Sequence, residues 1–218
     1  MKNQFLSKFA DKFKPAAKHF KTFAVVFLVV ILICYAIYAF FRFSYINNRD
    51  TAMDKINSTV LTLADVMGEN LPPKPDQAVN DSTIEGIDAN NNMVRDDVEL
   101  AIFEKYPNSA KMRAALLQYA QALQLELTAV NSEEIMKNAL VKDSAANSCL
   151  FDVIKIYNNS DEWSPLYQAK EDIKTEFDSL ILNTEIRKNQ YEVVYKKYMV
   201  SFTLSDKRCD IDVSTLLN

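Results

Sequence analysis

The chain has 218 residues, a formal net charge of −4 and 49% hydrophobic residues, but only two glycines. Phosphate-cradling loops, dinucleotide folds and tight hairpins need glycine for positive φ or close backbone approach, so this composition argues against them and favours helices. Charge is uneven: Lys2, Lys8, Lys12, Lys14, Lys18 and Lys21 face only Asp11 ahead of the longest apolar run, whereas 19 basic and 28 acidic side chains follow it, a net of −9 that argues against nucleic-acid binding.

Residues 1–21 read as a basic cytoplasmic tail. Within it Phe5, Phe9 and Phe13 recur every four residues until Pro15 interrupts. That spacing fits a short helix on the inner leaflet or a disordered tail that only sets topology. Residues 22–43 then read as a transmembrane helix. From Phe23 to Phe41 the chain runs FAVVFLVVILICYAIYAFF without one charge, and a run of that length spans roughly 28 Å at helical rise, close to hydrocarbon thickness. The preceding lysines place the N-terminus inside, and Tyr35, Tyr38, Phe41 and Phe43 resemble an aromatic belt at the far interface. A cleaved signal peptide shares this pattern. The run is long for one, no small-x-small pair follows it, and Ile33 precedes Cys34 where a lipoprotein signal wants a small residue. The expectation is a bacterial inner-membrane protein with a periplasmic C-terminal domain.

Residues 44–67 read as a juxtamembrane helix, because Met53, Ile56, Val60, Leu63 and Met67 keep helical spacing. Gly68 and the string LPPKPDQAVNDST break it, and 68–84 reads as an extended linker. Residues 85–218 read as an all-α domain, a helix bundle. Helices are predicted over 96–106 and 109–130, from Ser132 to about Tyr157, and from Ser164 with Pro165 to about Leu182; Asn183 and Thr184 precede a last one. On that last helix Tyr191, Val194, Tyr195, Tyr198 and Phe202 share a face, a stripe better suited to packing than to a site formed with Lys196 and Lys197.

The most informative string is GIDANNNMVRDDVE, from Gly86 to Glu99. Counted from Asp88, oxygen-bearing side chains stand at Asp88, Asn90, Asn92 and Asp96, Val94 offers a backbone carbonyl, and Glu99 takes the twelfth place. A tightly turned loop can aim alternate residues at one hard cation while the following helix supplies the last carboxylate. On these residues the segment resembles EF-hand and dockerin-type loops, and the similar GIDxNxNGVRDDVE strings of bacterial exported proteins. The resemblance implies a bound calcium ion and no particular activity. It departs from the pattern at Met93, where glycine is wanted for the sharp turn, and only Asp88, Asp96 and Glu99 bring charge, so the expected affinity is modest. The competing reading is an Asn-rich turn in which Asp96 and Glu99 cap a helix.

Cys34 lies in the apolar run, leaving Cys149 and Cys209 as the pair available to an oxidising compartment. Their disulfide would stabilise by roughly 4 kcal/mol in the chain-entropy model; two unpaired buried thiols are the alternative. Catalysis lacks its usual parts, since the only histidine, His19, precedes the anchor. Zinc is not expected either. The function expected is therefore protein-partner binding by an anchored, non-catalytic domain. An immunity-type, toxin-neutralising protein is its sharper form and an envelope assembly or secretion component its alternative. A carboxylate-dependent peptidoglycan hydrolase, using acids such as Glu133, Glu134, Asp161 and Glu162, is the reading from a different class.

Overall fold

The structure, a computed structural model, describes residues 2–158 and 161–217, with side chains described from Phe23 onward. Every regular element among them is helical: α1 Lys2–Ser58, α2 Leu63–Met67, α3 Gln77–Asn80, α4 Asp96–Lys105, α5 Ala110–Ala129, α6 Glu133–Asn158, α7 Trp163–Ile181 and α8 Glu185–Tyr198, with a 3-10 turn at Val213–Thr215. The chain divides into two compact units, Met1–Asn48 and Arg49–Asn218.

The first unit is the greater part of α1. The side chains of Phe5, Phe9 and Phe13 lie outside the described residues. The helix runs through Pro15, where the sequence predicts an interruption; a proline inside a helix forfeits one backbone hydrogen bond and bends the helix without always ending it. From Phe23 to Phe43 every side chain is exposed. A helix of this length and apolarity is able to cross a membrane, and so large an uncovered apolar surface is stable only against another apolar phase.

The second unit is built around α5. All its residues are buried except Lys111 and Thr128, which are half-buried, as befits a helix packed on every side. α6 lies along it, and α4, α7 and α8 complete the surround. The centre is not purely apolar. Gln118, Gln121 and Gln124 recur every three residues, and their side-chain amides donate to the backbone carbonyls of Arg208, Asn92 and Glu85 at 2.8, 2.7 and 2.8 Å. One helix face thereby fastens three irregular segments, satisfying carbonyls that would otherwise be buried unpaired. Two fully buried arginines do similar work. Arg95 donates to the carbonyls of Leu180 and Ile181 at the end of α7 at 2.8 and 2.9 Å and pairs with Asp97. Arg187 donates to the carbonyls of Asn80 and Ile84 and pairs with Asp81 at 3.2 Å. Gly86, at φ 68°, leaves room for Arg95, whose Cδ would stand 2.3 Å from an added Cβ.

Cys149 and Cys209 form a disulfide that ties the C-terminal segment to α6. Two expected boundaries differ. The predicted juxtamembrane helix 44–67 breaks at residues 59–62, because the Thr62 side chain accepts from the Asp65 N–H while Asp65 accepts from the Thr62 N–H, a capping box that starts α2 afresh. The predicted linker 68–84 is folded into the domain, since it contains α3 and the fully buried Asn80, which accepts from the Ile87 N–H at 2.9 Å. The last helix also ends sooner, at Tyr198, although Phe202 beyond it still packs in the cluster with Tyr195 and Tyr198.

Candidate calcium loop and its surroundings

Local chemistry folds the Asp88–Glu99 loop back on itself. The Asp88 carboxylate accepts from the N–H groups of Asn92 and Met93 at 3.1 and 3.0 Å, drawing the fifth and sixth places toward the first. Asn92 accepts from the Val94 N–H at 2.8 Å, and Asp96 accepts from the Ala89 N–H at 2.9 Å. The chain makes its turn with positive φ at Asn91 and Met93, 59° and 65°. Asparagine tolerates this region; for Met93 it costs on the order of 1 kcal/mol. Packing of Met93 against the apolar cluster containing Ala52 and Ile56 offsets part of that cost.

The capping alternative does not describe this geometry. Arg95, not Asp96, occupies the N-cap of α4, and it makes no side-chain cap bond. Asp96 instead turns its carboxylate back into the loop, and Glu99 accepts from the Asn90 side-chain amide at 3.0 Å. Asp96 and Glu99 are each only 1% exposed. Burial drives the carboxyl pKa values upward, to about 7 for Glu99 and also above the ordinary range for Asp88 and Asp96.

Five buried side-chain polar atoms among the described residues have no hydrogen-bond partner, and three of them belong to this loop: Asn90 Oδ1, Asn92 Nδ2 and Asp96 Oδ2. Buried polar atoms left unpaired are costly; two of these three, Asn90 Oδ1 and Asp96 Oδ2, are oxygens able to meet a cation, whereas Asn92 Nδ2 is a donor beside Glu99. Among the described residues no three His, Cys, Asp or Glu side chains are gathered closely enough to hold a metal alone. A loop of this kind differs in drawing about half its oxygens from amides and backbone. Asp88, Asn90, Asn92, the Val94 carbonyl, Asp96 and Glu99 fit a hard cation in donor type. For Asn92 the fit requires its amide oxygen to leave the Val94 N–H.

Several partners of the loop carry no signal in its motif. The Asn90 amide also donates to the Asn70 carbonyl at 3.0 Å, and Gln121 reaches in from α5. Lys55, near the end of α1, is the cation whose charge bears on Asp88.

The other acids singled out by sequence do not converge. Glu133 and Glu134 are exposed at the start of α6, whereas Asp161 and Glu162 follow its end. A helix of 26 residues is roughly 39 Å long at helical rise, against separations below about 10 Å for carboxylates acting on one glycosidic bond. Elsewhere, Trp163 is 68% exposed at the start of α7, with ring centroids 4.9 Å from Phe151 and 6.4 Å from Tyr167. No family model, curated protein or solved structure matches the chain.

Proposed function

We propose that the chain is a single-pass inner-membrane protein with its N-terminus in the cytosol. Its periplasmic helical domain holds a calcium ion in the Asp88–Glu99 loop and acts by binding a protein partner rather than by catalysis. The observation that carries the calcium assignment is the pair of unpaired buried oxygens, Asn90 Oδ1 and Asp96 Oδ2. The lysine-rich start and the exposed apolar helix support the anchor and its direction, and the Cys149–Cys209 bridge suits an oxidising compartment. The ring cluster of Phe151, Trp163 and Tyr167 supports partner binding, because a solvent-facing tryptophan backed by two aromatic rings is the usual anchor of a protein contact.

Protease added to intact spheroplasts tests orientation and calcium together. The part after Arg42 should be cleaved, several-fold more slowly with millimolar calcium than with chelator. A chain left whole under both conditions overturns the orientation, and equal rates overturn the calcium site. For the partner, a photo-crosslinking residue at position 163 should yield one specific adduct that a control at exposed Glu185 does not, and matching patterns would defeat the assignment. A toxin acting on the wall or bilayer and an envelope assembly component are both partners of this kind, and the identity of the adduct separates them.

A further inference from the structure

We infer that a groove between α4 and α7 receives a basic segment of the protein partner, one of whose lysine or arginine side chains takes the place that the chain's own Lys105 holds. The inference rests on the partner-binding reading and adds to it a second contact and the charge of what is bound. Two cavities that share Lys105 and Glu176 make up the groove. One, of about 340 Å³, opens where Tyr106 and Tyr157 meet the middle of α7; the other, of about 480 Å³, continues between Ala101 and Leu180. Along α7 the lining runs from Ala169 to Leu180. That is roughly 16 Å at helical rise, longer than one side chain needs and suited to about five residues of extended chain.

The lining specifies a cation. Tyr106 and Tyr157 meet edge to face, with ring centroids 6.3 Å apart, above a floor that includes Met112 and Ile154. Glu104, Asp172 and Glu176 stand on the rim, and Lys105 is the one cation lining either cavity. All three acids are exposed, and Asp172 and Glu176 lie one turn apart on α7. An aromatic wall beside exposed carboxylates attracts an ammonium or guanidinium through the ring quadrupole and the opposite charge together.

Lys105 displays this mode of binding within the chain. Its ammonium lies 5.8 Å from the Tyr106 centroid and 5.7 Å from the Phe177 centroid while it pairs with Glu176. The pair crosses the groove from α4 to α7 with side chains 36% and 54% exposed. A surface ion pair of this kind contributes little to stability, so a partner's cation can displace it. The acidic balance after the apolar run, 19 basic against 28 acidic side chains, steers a basic segment toward the domain.

Binding of capped peptides to the full chain in lipid nanodiscs tests this, read from the isotope-labelled methyl group of Met112 on the groove floor. The probes are acetyl-Leu-Ala-Arg-Ala-Leu-amide and its citrulline counterpart, which has the same shape without the charge. The arginine peptide should bind roughly tenfold more tightly. Lys105→Met removes the resident cation and should tighten that binding several-fold, whereas Glu176→Gln should weaken it several-fold; both positions are exposed, so neither change should lower the melting temperature much. Equal binding of the two peptides, or weaker binding of the arginine peptide to K105M, overturns the inference. Spermidine binding more tightly than the arginine peptide would assign the groove to a small polyamine and overturn the partner segment. The adduct from position 163 keeps the two readings apart. A groove without charge preference beside a persisting adduct overturns the groove alone, and a preserved preference beside a missing adduct overturns the partner reading.

Discussion

Two groups of buried acids in the domain are handled in opposite ways. Around Glu126, Asp143 and Asp178 the chain supplies its own cation, since Lys174 of α7 donates to the Tyr119 hydroxyl and to Asn147 Oδ1, both at 3.1 Å. Each acid there has a neutral donor as well: Tyr119 for Asp178, Tyr195 at 2.7 Å for Glu126, and Asn147 at 2.9 Å for Asp143. Around Asp88, Asp96 and Glu99 there is no ion pair among the described residues, and the donors are mostly backbone N–H groups that shape the turn. Both groups pay desolvation; the charge of Lys174 bears on all three acids of the first, whereas in the second Lys55 bears on Asp88 and no cation bears on Asp96 or Glu99. The difference teaches where an added cation would compensate most: around Asp96 and Glu99, which have no ammonium bearing on them, and not in the cluster that Lys174 already serves.

The contrast has a weak point at Glu126, which is 1% exposed and keeps Oε1 without a partner despite Lys174 nearby. Burial, followed by the charge of Asp143, pushes its pKa up to about 8. A carboxyl with a folded pKa above its unfolded value binds more protons when folded. Its stabilising effect is therefore full below the unfolded value near 4.5 and lost as pH rises through about 8. The unfolding free energy from urea titration should therefore fall between about pH 6 and pH 8, read as a lower urea midpoint at unchanged m-value. The groups facing Glu126 are Tyr119 on α5, Asp143 on α6, Lys174 and Asp178 on α7, and Tyr191 and Tyr195 on α8. Glu126→Gln keeps an acceptor for Tyr195 and removes the charge, so it should flatten the slope and match the wild type at the acidic end. A slope that survives in E126Q would place the responsible acid elsewhere and leave Lys174 sufficient for the whole cluster.

How far the two groups were legible in the sequence differs for a physical reason. The loop is local: its six ligand positions lie within twelve residues, so spacing alone exposes it. The interior cluster joins residues from four helices, and no period in the sequence links Glu126 to Lys174. The same distinction holds for the fold. Helix starts were readable in part: Ser132 accepts from the Ile135 N–H at 3.3 Å at the head of α6, whereas Ser164, read as the cap of the next helix, lies inside α7, whose N-cap is Glu162. The glutamine ladder and the arginine clamps were not readable, because their partners are carbonyls of distant loops. Periodicity also misled once. Met53, Ile56, Val60, Leu63 and Met67 fall on a helical face, yet Ile56 is 1% exposed while Val60, Leu63 and Met67 are 46%, 54% and 48% exposed. Leu61 and Val66, off that face, are the buried residues once the Thr62 cap has reset the register.

The smallest expected effect sharpens the loop side of the comparison. From sequence, Met93 stands where the pattern wants glycine and should weaken calcium binding. In the structure Met93 has φ 65°, and its side chain packs in the cluster of Ala52 and Ile56. A loop whose turn is held by Asp88 and by Met93 packing keeps that strain in the free and bound forms alike, so it should cancel from the binding equilibrium and count only against folding. Met93→Gly relieves on the order of 1 kcal/mol of backbone strain and forfeits a comparable apolar contact, so stability should change by less than about 1 kcal/mol. The calcium dissociation constant from calorimetry should move by less than about threefold, under 0.7 kcal/mol by the usual conversion. A tenfold or greater tightening in M93G would mean that the free loop relaxes away from this turn, and the acids around Asp88 would then be gathered by the ion rather than held ready for it.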